Sequence, residues 1–174
     1  MKKWSEEAWD VARPTYLKII EHPFVEELAR GTLAADKFLF YLRQDSLYLA
    51  HYSRVLTHIA SRLTEKEHIA AFIRFASDGI EVEEALHGFW VYQQVGRQII
   101  ARQQGSGNPY AQWIETYADP SFTEATSQAI GICDALAEKT GPETRRRMTD
   151  IFLRCTKMEW LFWDSAWYLE SWKI

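Results

Sequence analysis

Residues Ala35 to Leu63 read ADKFLFYLRQDSLYLAHYSRVLTHIASRL, and the spacing of their apolar side chains decides the fold. Phe38, Tyr41, Leu42, Tyr48, Leu49, Tyr52, Leu56 and Ile59 line one stripe of a helix that is far too long to be a strand. No glycine or proline interrupts it. Asp45 falls inside this stripe. An uncompensated charge there costs several kcal/mol, so Asp45 is the first residue that packing alone does not explain.

The sequence on either side has the same helical character. Upstream, Ser5 is placed to cap a helix running towards Ile20, and Pro14 is expected to kink it because proline lacks the N–H and crowds the preceding turn. His22-Pro23 breaks that helix, and a short one from Phe24 to Arg30 stops at Gly31. Downstream, Thr64 and Glu67 have the spacing of a capping box opening a helix through Ile69, Phe72, Ile73, Ala76 and Ile80. GSGNP, from Gly105 to Pro109, is a loop before a helix covering Trp113 and Ile114. Ala118-Asp119-Pro120-Ser121 opens a helix to about Lys139, and Thr140-Gly141-Pro142 separates it from a last one, Glu143 to about Tyr168. No strand, internal repeat or long linker can be found. The expectation is one all-α bundle domain spanning residues 1–174.

Composition fits that reading. With 47% hydrophobic and 25% charged residues the chain is not disordered, and a domain of 174 residues buries roughly two-thirds of its unfolded surface without disulfides or a structural metal. Twenty basic against 24 acidic residues give a net charge of −4, which leaves no footprint for nucleic acid or an anionic membrane surface. Two cysteines, Cys133 and Cys155, form neither a disulfide framework nor a metal-binding pair and suit a reducing cytoplasm. The acidic N-terminal segment is no signal peptide, and no apolar run approaches a bilayer span. The expected partner is a small, nearly neutral molecule.

A second acid repeats the anomaly of Asp45. On the last helix the inward set reads Met148, Ile151, Phe152, Cys155, Glu159, Phe162 and Ala166, so Glu159 also points inward. A single buried acid is as well explained by a structural tyrosine or arginine partner, and aromatics alone by core packing. Together, two acids among Tyr41, Tyr48, Tyr52, Phe162 and Trp163 describe flat walls around convergent polar groups, a pocket for a planar heteroaromatic ligand. Glu84 and His87 form one E-x-x-H. A di-iron carboxylate oxidase needs a second such pair, which the sequence lacks, so this alternative is the weaker one and no metal or cofactor is expected. His51 and His58, two turns apart, read as surface or core-edge residues.

Five segments, HPFVEELARGTL, FLFYLRQDSLYLAHYSRVL, GIEVEEALH, NPYAQWIETYADPSF and KMEWLFWDSAWYLESW, resemble the TenA (thiaminase II) family in order and spacing over nearly the whole chain. The resemblance implies a haem-oxygenase-like helical bundle without haem, a homotetramer, and a hydrolase acting on thiamin or, more typically, on aminomethylpyrimidine to give hydroxymethylpyrimidine for thiamin salvage. It also implies roles by position. Asp45 matches the aspartate that hydrogen-bonds the aminopyrimidine edge, and Tyr48, Tyr92 and Tyr117 match tyrosines lining the site. Phe162 matches a ring-packing aromatic and Glu159 the general acid/base, whose pKa burial is expected to raise.

One departure concerns the nucleophile. In cysteine-type members a thiolate lies in a segment resembling P-C-[FY]-W-x-Y-x-x-V-G. Here FWVYQQVG (89–96) matches its end, but Gly88 stands at the cysteine position. GIEVEEALH normally precedes a stretch long enough for two helices, and here it runs directly into that end, so a two-helix segment around residues 87–91 is missing. Either the protein lacks it, which implies a non-catalytic pyrimidine-binding protein, or the sequence joins residues that are not adjacent in the natural chain. The flanking sequence carries no compensating polar changes, which favours the join. Cys155, one turn before Glu159, is read as a structural thiol rather than a substitute nucleophile.

Overall fold

The computed structural model describes residues 2–77, 88–103 and 107–170, with side chains described except at 48–53, 76, 77, 88 and 89. Eight α-helices follow one another among these residues: α1 (Trp4–Ile20), α2 (Pro23–Arg30), α3 (Ala35–Ala60), α4 (Lys66–Ser77), α5 (Gln93–Arg102), α6 (Ala111–Glu115), α7 (Pro120–Glu138) and α8 (Pro142–Tyr168). A π turn, Gly88–Tyr92, leads into α5, and a 3₁₀ turn, Thr116–Ala118, follows α6. No strand occurs among the described residues, and none of their helices is long and apolar enough to cross a membrane. The all-α bundle expected from the sequence is the fold observed.

The long helices lie against one another in pairs. α1 packs along α8 and touches α7, α3 packs along α4 and meets α8, and α2 sits against α5 and α8. On α1 the buried stripe is Trp4, Ala8, Ala12, Tyr16, Ile19 and Ile20, where the two alanines let a neighbour approach closely. Pro14 lies on the exposed side, and α1 continues past it to Ile20, because the backbone carbonyl that loses its partner there faces water.

Two helix starts differ from the sequence reading. Ser5 is not the cap of α1: Lys3 holds that position, and Ser5 lies buried within the first turn. Its N–H and hydroxyl donate to the two carboxylate oxygens of Asp134 on α7, at 2.8 and 2.9 Å. The free N–H groups and the positive end of α1 are thus served by a distant acid, which sequence-local capping rules do not find. Likewise α4 begins at Lys66, two residues after Thr64, so the expected box does not hold its first turn. Ile80 lies outside the described residues.

Residues 22–33 are fixed by side chains from far along the chain. The Nδ1 of His22 accepts from the N–H of Phe24 to cap α2, Pro23 fills its first position, and Gly31 ends it at φ 73°, a left-handed conformation that suits glycine. Asn108 Nδ2 then donates to the carbonyls of Leu28 and Ala29, at 2.9 and 3.2 Å, and the Tyr110 hydroxyl donates to Leu33 O. The Asn108-Pro109-Tyr110 segment therefore anchors the α2–α3 corner to α6 and to the aromatic residues that follow it.

Replacing Asp134 by alanine strips the Ser5 N–H and hydroxyl of their partners in a buried place. The expected loss is about 3 kcal/mol, seen as a lower urea midpoint with an unchanged m-value, and Asp134→Asn should lose about half as much.

Candidate active site

The two acids singled out by the sequence approach one buried aromatic cluster from different helices. α3 supplies Tyr41 and the half-buried Asp45, and α8 supplies Glu159, only 8% exposed, with Phe162 and Trp163. The π turn contributes Tyr92, the 3₁₀ turn Tyr117, and α6 Trp113. A π turn in a helix is often found where function needs an altered register, and here it sets the direction of Tyr92.

Tyr41 is the hub. Fully buried, it stacks on Trp163 with centroids 5.0 Å apart and planes 8° from parallel. Phe162 at 5.3 Å and Trp113 at 5.5 Å meet the same ring edge-on, and the Tyr41 hydroxyl shares a short hydrogen bond with that of Tyr92. Tyr92 in turn packs against Tyr117 at 4.9 Å and lies nearly parallel to Trp163 at 6.2 Å. On α8, Trp163 Nε1 donates to Glu159 Oε1 at 3.1 Å, one turn back along the helix.

Burial holds the hydroxyls of Tyr41, Tyr92 and Tyr117 well above the usual tyrosine range, and the neighbouring Asp45 carboxylate adds to the effect at all three. They remain neutral at physiological pH. The Tyr117 hydroxyl is buried beside that of Tyr92 but completes no hydrogen bond of normal geometry. Burial also pushes the Asp45 carboxyl up to about 6. Half-protonated near pH 6, such a group in its protonated form can donate one hydrogen bond and accept another.

Of the residues expected in the site, Asp45, Tyr92, Tyr117, Glu159 and Phe162 converge here. The side chain of Tyr48 lies outside the described residues, as do those of Tyr52 and His51. Tyr41 and Trp163, expected as flat walls of the pocket, also stand here, and what the sequence does not show is that their polar atoms meet Tyr92 and Glu159. The inward face of α8 is Phe152, Thr156, Glu159, Trp163 and Ala166. Ile151 is 51% exposed, and Cys155 is only partly buried, because a four-three alternation of spacings turns the stripe away from both.

Gly96 on α5 was not singled out for a reason of shape. A Cβ there meets Tyr117 Cδ1 at 2.2 Å and Cγ at 2.3 Å, so only a hydrogen leaves room for the tyrosine ring. No group of three or more His, Cys, Asp or Glu able to hold a metal occurs among the described residues, and Glu84 and His87 lie outside them. Cys133 is pushed up to about 12, first by burial and then by the Asp134 carboxylate, which keeps it a thiol at neutral pH.

The sequence model of the TENA/THI-4/PQQC family matches this chain in two pieces, residues 9–89 and 86–168. They meet at the point where the sequence reading puts the missing segment. The chain is 26% identical to an aminopyrimidine aminohydrolase of Bacillus subtilis, covering 98% of this chain and 92% of that one. The alignment runs over 219 positions, more than the 174 residues present here, so part of that relative has no counterpart. It is 25% identical to the thiamine biosynthesis multifunctional protein ThiED of Corynebacterium efficiens over 91% of this chain, which spans 27% of that protein's length. Among solved structures, a TenA homologue from P. horikoshii OT3 superimposes with a TM-score of 0.84 at 23% identity, covering 96% of this chain and 99% of that one. One from Pyrococcus furiosus gives 0.76 at 18%, covering 94% and 99%. The fold of these structures is the fold of this chain.

Two outcomes test the geometry. Gly96→Ala must displace the Tyr117 ring and should cost about 2 kcal/mol by thermal or urea unfolding, more than an alanine normally costs in a helix. Because Asp45 holds its proton more tightly folded than unfolded, its contribution to stability is complete below about pH 4 and is lost as pH rises through about 6. Asp45→Asn has no such loss. The variant should match the parent near pH 4 and exceed it at pH 7.5, by up to about 3 kcal/mol from the two-unit shift and less where water reaches the carboxyl.

Proposed function

The chain belongs to the TENA/THI-4/PQQC family, and we propose that it is a thiaminase II-type hydrolase acting on aminopyrimidines in thiamin salvage. The observation that carries the proposal is the delivery of two carboxyls, Asp45 from α3 and Glu159 from α8, to one buried cluster of neutral tyrosines. That arrangement suits a flat, polar-edged ring. The edge of an aminopyrimidine pairs a ring nitrogen acceptor with an amino donor. A carboxyl with a pKa of about 6 matches both at once, giving its proton to the nitrogen and accepting from the amine.

In the reaction proposed, water adds its oxygen to the exocyclic methylene carbon while the carbon–nitrogen bond breaks, so aminomethylpyrimidine and water become hydroxymethylpyrimidine and ammonia. Thiamin is cleaved at the same bond, releasing its thiazole. Glu159 gives a proton to the departing amine and takes one from water. Tyr92, Tyr117 and Phe162 wall the ring, and the family resemblance gives Tyr48 the same role. The protein acts without cofactor and assembles as a homotetramer, each subunit one helical domain.

A second reading is favoured by Gly88, which stands where cysteine-type members carry their nucleophile, and by Cys133 remaining a thiol. It is a pyrimidine-binding protein that keeps the pocket without the chemistry.

Ammonia release from aminomethylpyrimidine, thiamin cleavage and calorimetric binding of hydroxymethylpyrimidine separate the two. The hydrolase reading expects turnover, with kcat lowered about 10²- to 10⁴-fold in Glu159→Gln at similar product affinity, and affinity weakened at least tenfold in Asp45→Asn. Binding without turnover of either substrate selects the second reading. Absence of binding removes both.

A further inference from the structure

We propose that Trp163 is a positioning residue for Glu159, holding its carboxyl in one orientation through the indole N–H while the Tyr41 ring fixes the indole in place. This rests on the reading of Glu159 as the proton-transfer group.

Three observations support it. Trp163 is fully buried, yet its one polar atom is spent on Glu159 Oε1 at 3.1 Å, within a single helix turn of α8. An indole N–H can only donate. It therefore holds an acceptor oxygen and selects the carboxyl rotamer that presents one at Oε1. The indole itself has little freedom: Tyr41 lies flat on it at 5.0 Å and 8°, Phe24 packs at 5.3 Å and Tyr92 at 6.2 Å. Tyr41 is tied in its turn to the Tyr92 hydroxyl. Rigid aromatic packing is thereby converted into a fixed direction for one carboxyl, which is what a general acid/base needs to meet both a leaving amine and a water.

The hydrogen bond also sets a direction of pKa change. Donation to a carboxyl favours its charged form, so removing the N–H makes Glu159 hold its proton more tightly.

The test uses Trp163→Phe, which keeps an aromatic ring but no donor, and Glu159→Gln, which leaves the indole untouched. In the active enzyme, Trp163→Phe should lower kcat about tenfold at an unchanged KM, with the limb of the pH profile assigned to Glu159 moved up by about one unit. Trp163→His, which restores a ring N–H, should recover part of the loss. A kcat within twofold of the parent and an unmoved pH profile overturn the proposal.

A readout independent of activity keeps it decidable if no substrate is turned over. The indole N–H resonance missing from Trp163→Phe should titrate with pH in the parent protein and lose that titration in Glu159→Gln. An indole shift that does not follow pH in the parent, or that follows it equally in Glu159→Gln, overturns the proposal whatever becomes of the hydrolase reading. If Trp163→Phe does not fold, the comparison of parent with Glu159→Gln, with the resonance assigned through isotope labelling, gives the same two answers.

Discussion

The stack of Tyr41 on Trp163 is the contact on which the rest of this structure depends. It joins α3 to α8, two helices that share few other interactions compared with the α1–α8 and α3–α4 pairs. Phe24 of α2 packs against both rings, at 5.6 and 5.3 Å, so three helices meet in one aromatic knot. Such pairs contribute roughly 0.5–1.5 kcal/mol each beyond the area they bury, and their geometry is far more restrictive than aliphatic packing. The knot is also the floor of the candidate site. The same rings that hold the bundle together orient the Tyr92 hydroxyl on one side and the Glu159 carboxyl on the other.

That double use has a cost, and the structure shows where it falls. A carboxyl of pKa about 6 at Asp45 means the folded state works against the charge it carries at neutral pH. The buried hydroxyl of Tyr117 without a completed hydrogen bond is a second penalty, and the bare backbone at Gly96 a third, since a helix interior prefers a residue with a side chain. All three lie on the walls around Tyr92. Among the described residues elsewhere, Ser5 is served by Asp134, the carbonyls of Leu28 and Ala29 by Asn108, and His22 by the Phe24 N–H and Asp164, while His68 Nδ1 on α4 is buried without a partner. Three such costs gathered around one aromatic cluster are the pattern of a site shaped for more than packing.

Sequence reasoning reached Asp45 and Glu159 because a charge on an apolar stripe violates a rule that can be checked residue by residue. It reached the helices because their period is local. It placed Tyr41 among the walls of a pocket but not as its hub, since the distinguishing fact is a hydroxyl meeting Tyr92 from 51 residues away. It mistook Ser5 for a cap because the true partner, Asp134, is 129 residues distant. On α8 it drew the stripe one position off, admitting Ile151 and Cys155 in place of Thr156, because apolar residues occur on both flanks and only the neighbours decide which flank is covered. Gly96 illustrates the limit most sharply: its importance is the absence of an atom, and only the tertiary position of Tyr117 reveals it.

The described walls of the site come from elements scattered along the chain, and this bears on how recognition and chemistry are divided. Asp45 and Tyr41 are on α3, Tyr92 on the π turn, Tyr117 on the 3₁₀ turn and Glu159 on α8. Tyr92 sits at the end of the turn that Gly88 opens, whereas the other rings and carboxyls have contacts to elements far from it. The Tyr41 ring is fixed by Phe24 and Trp163, Tyr117 by the space at Gly96 and the edge of Trp113 at 5.0 Å, and Glu159 by Trp163. The aromatic half of the candidate site is therefore held by the bundle core, and a change near residue 88 reaches it through Tyr92 and the hydroxyl contact with Tyr41.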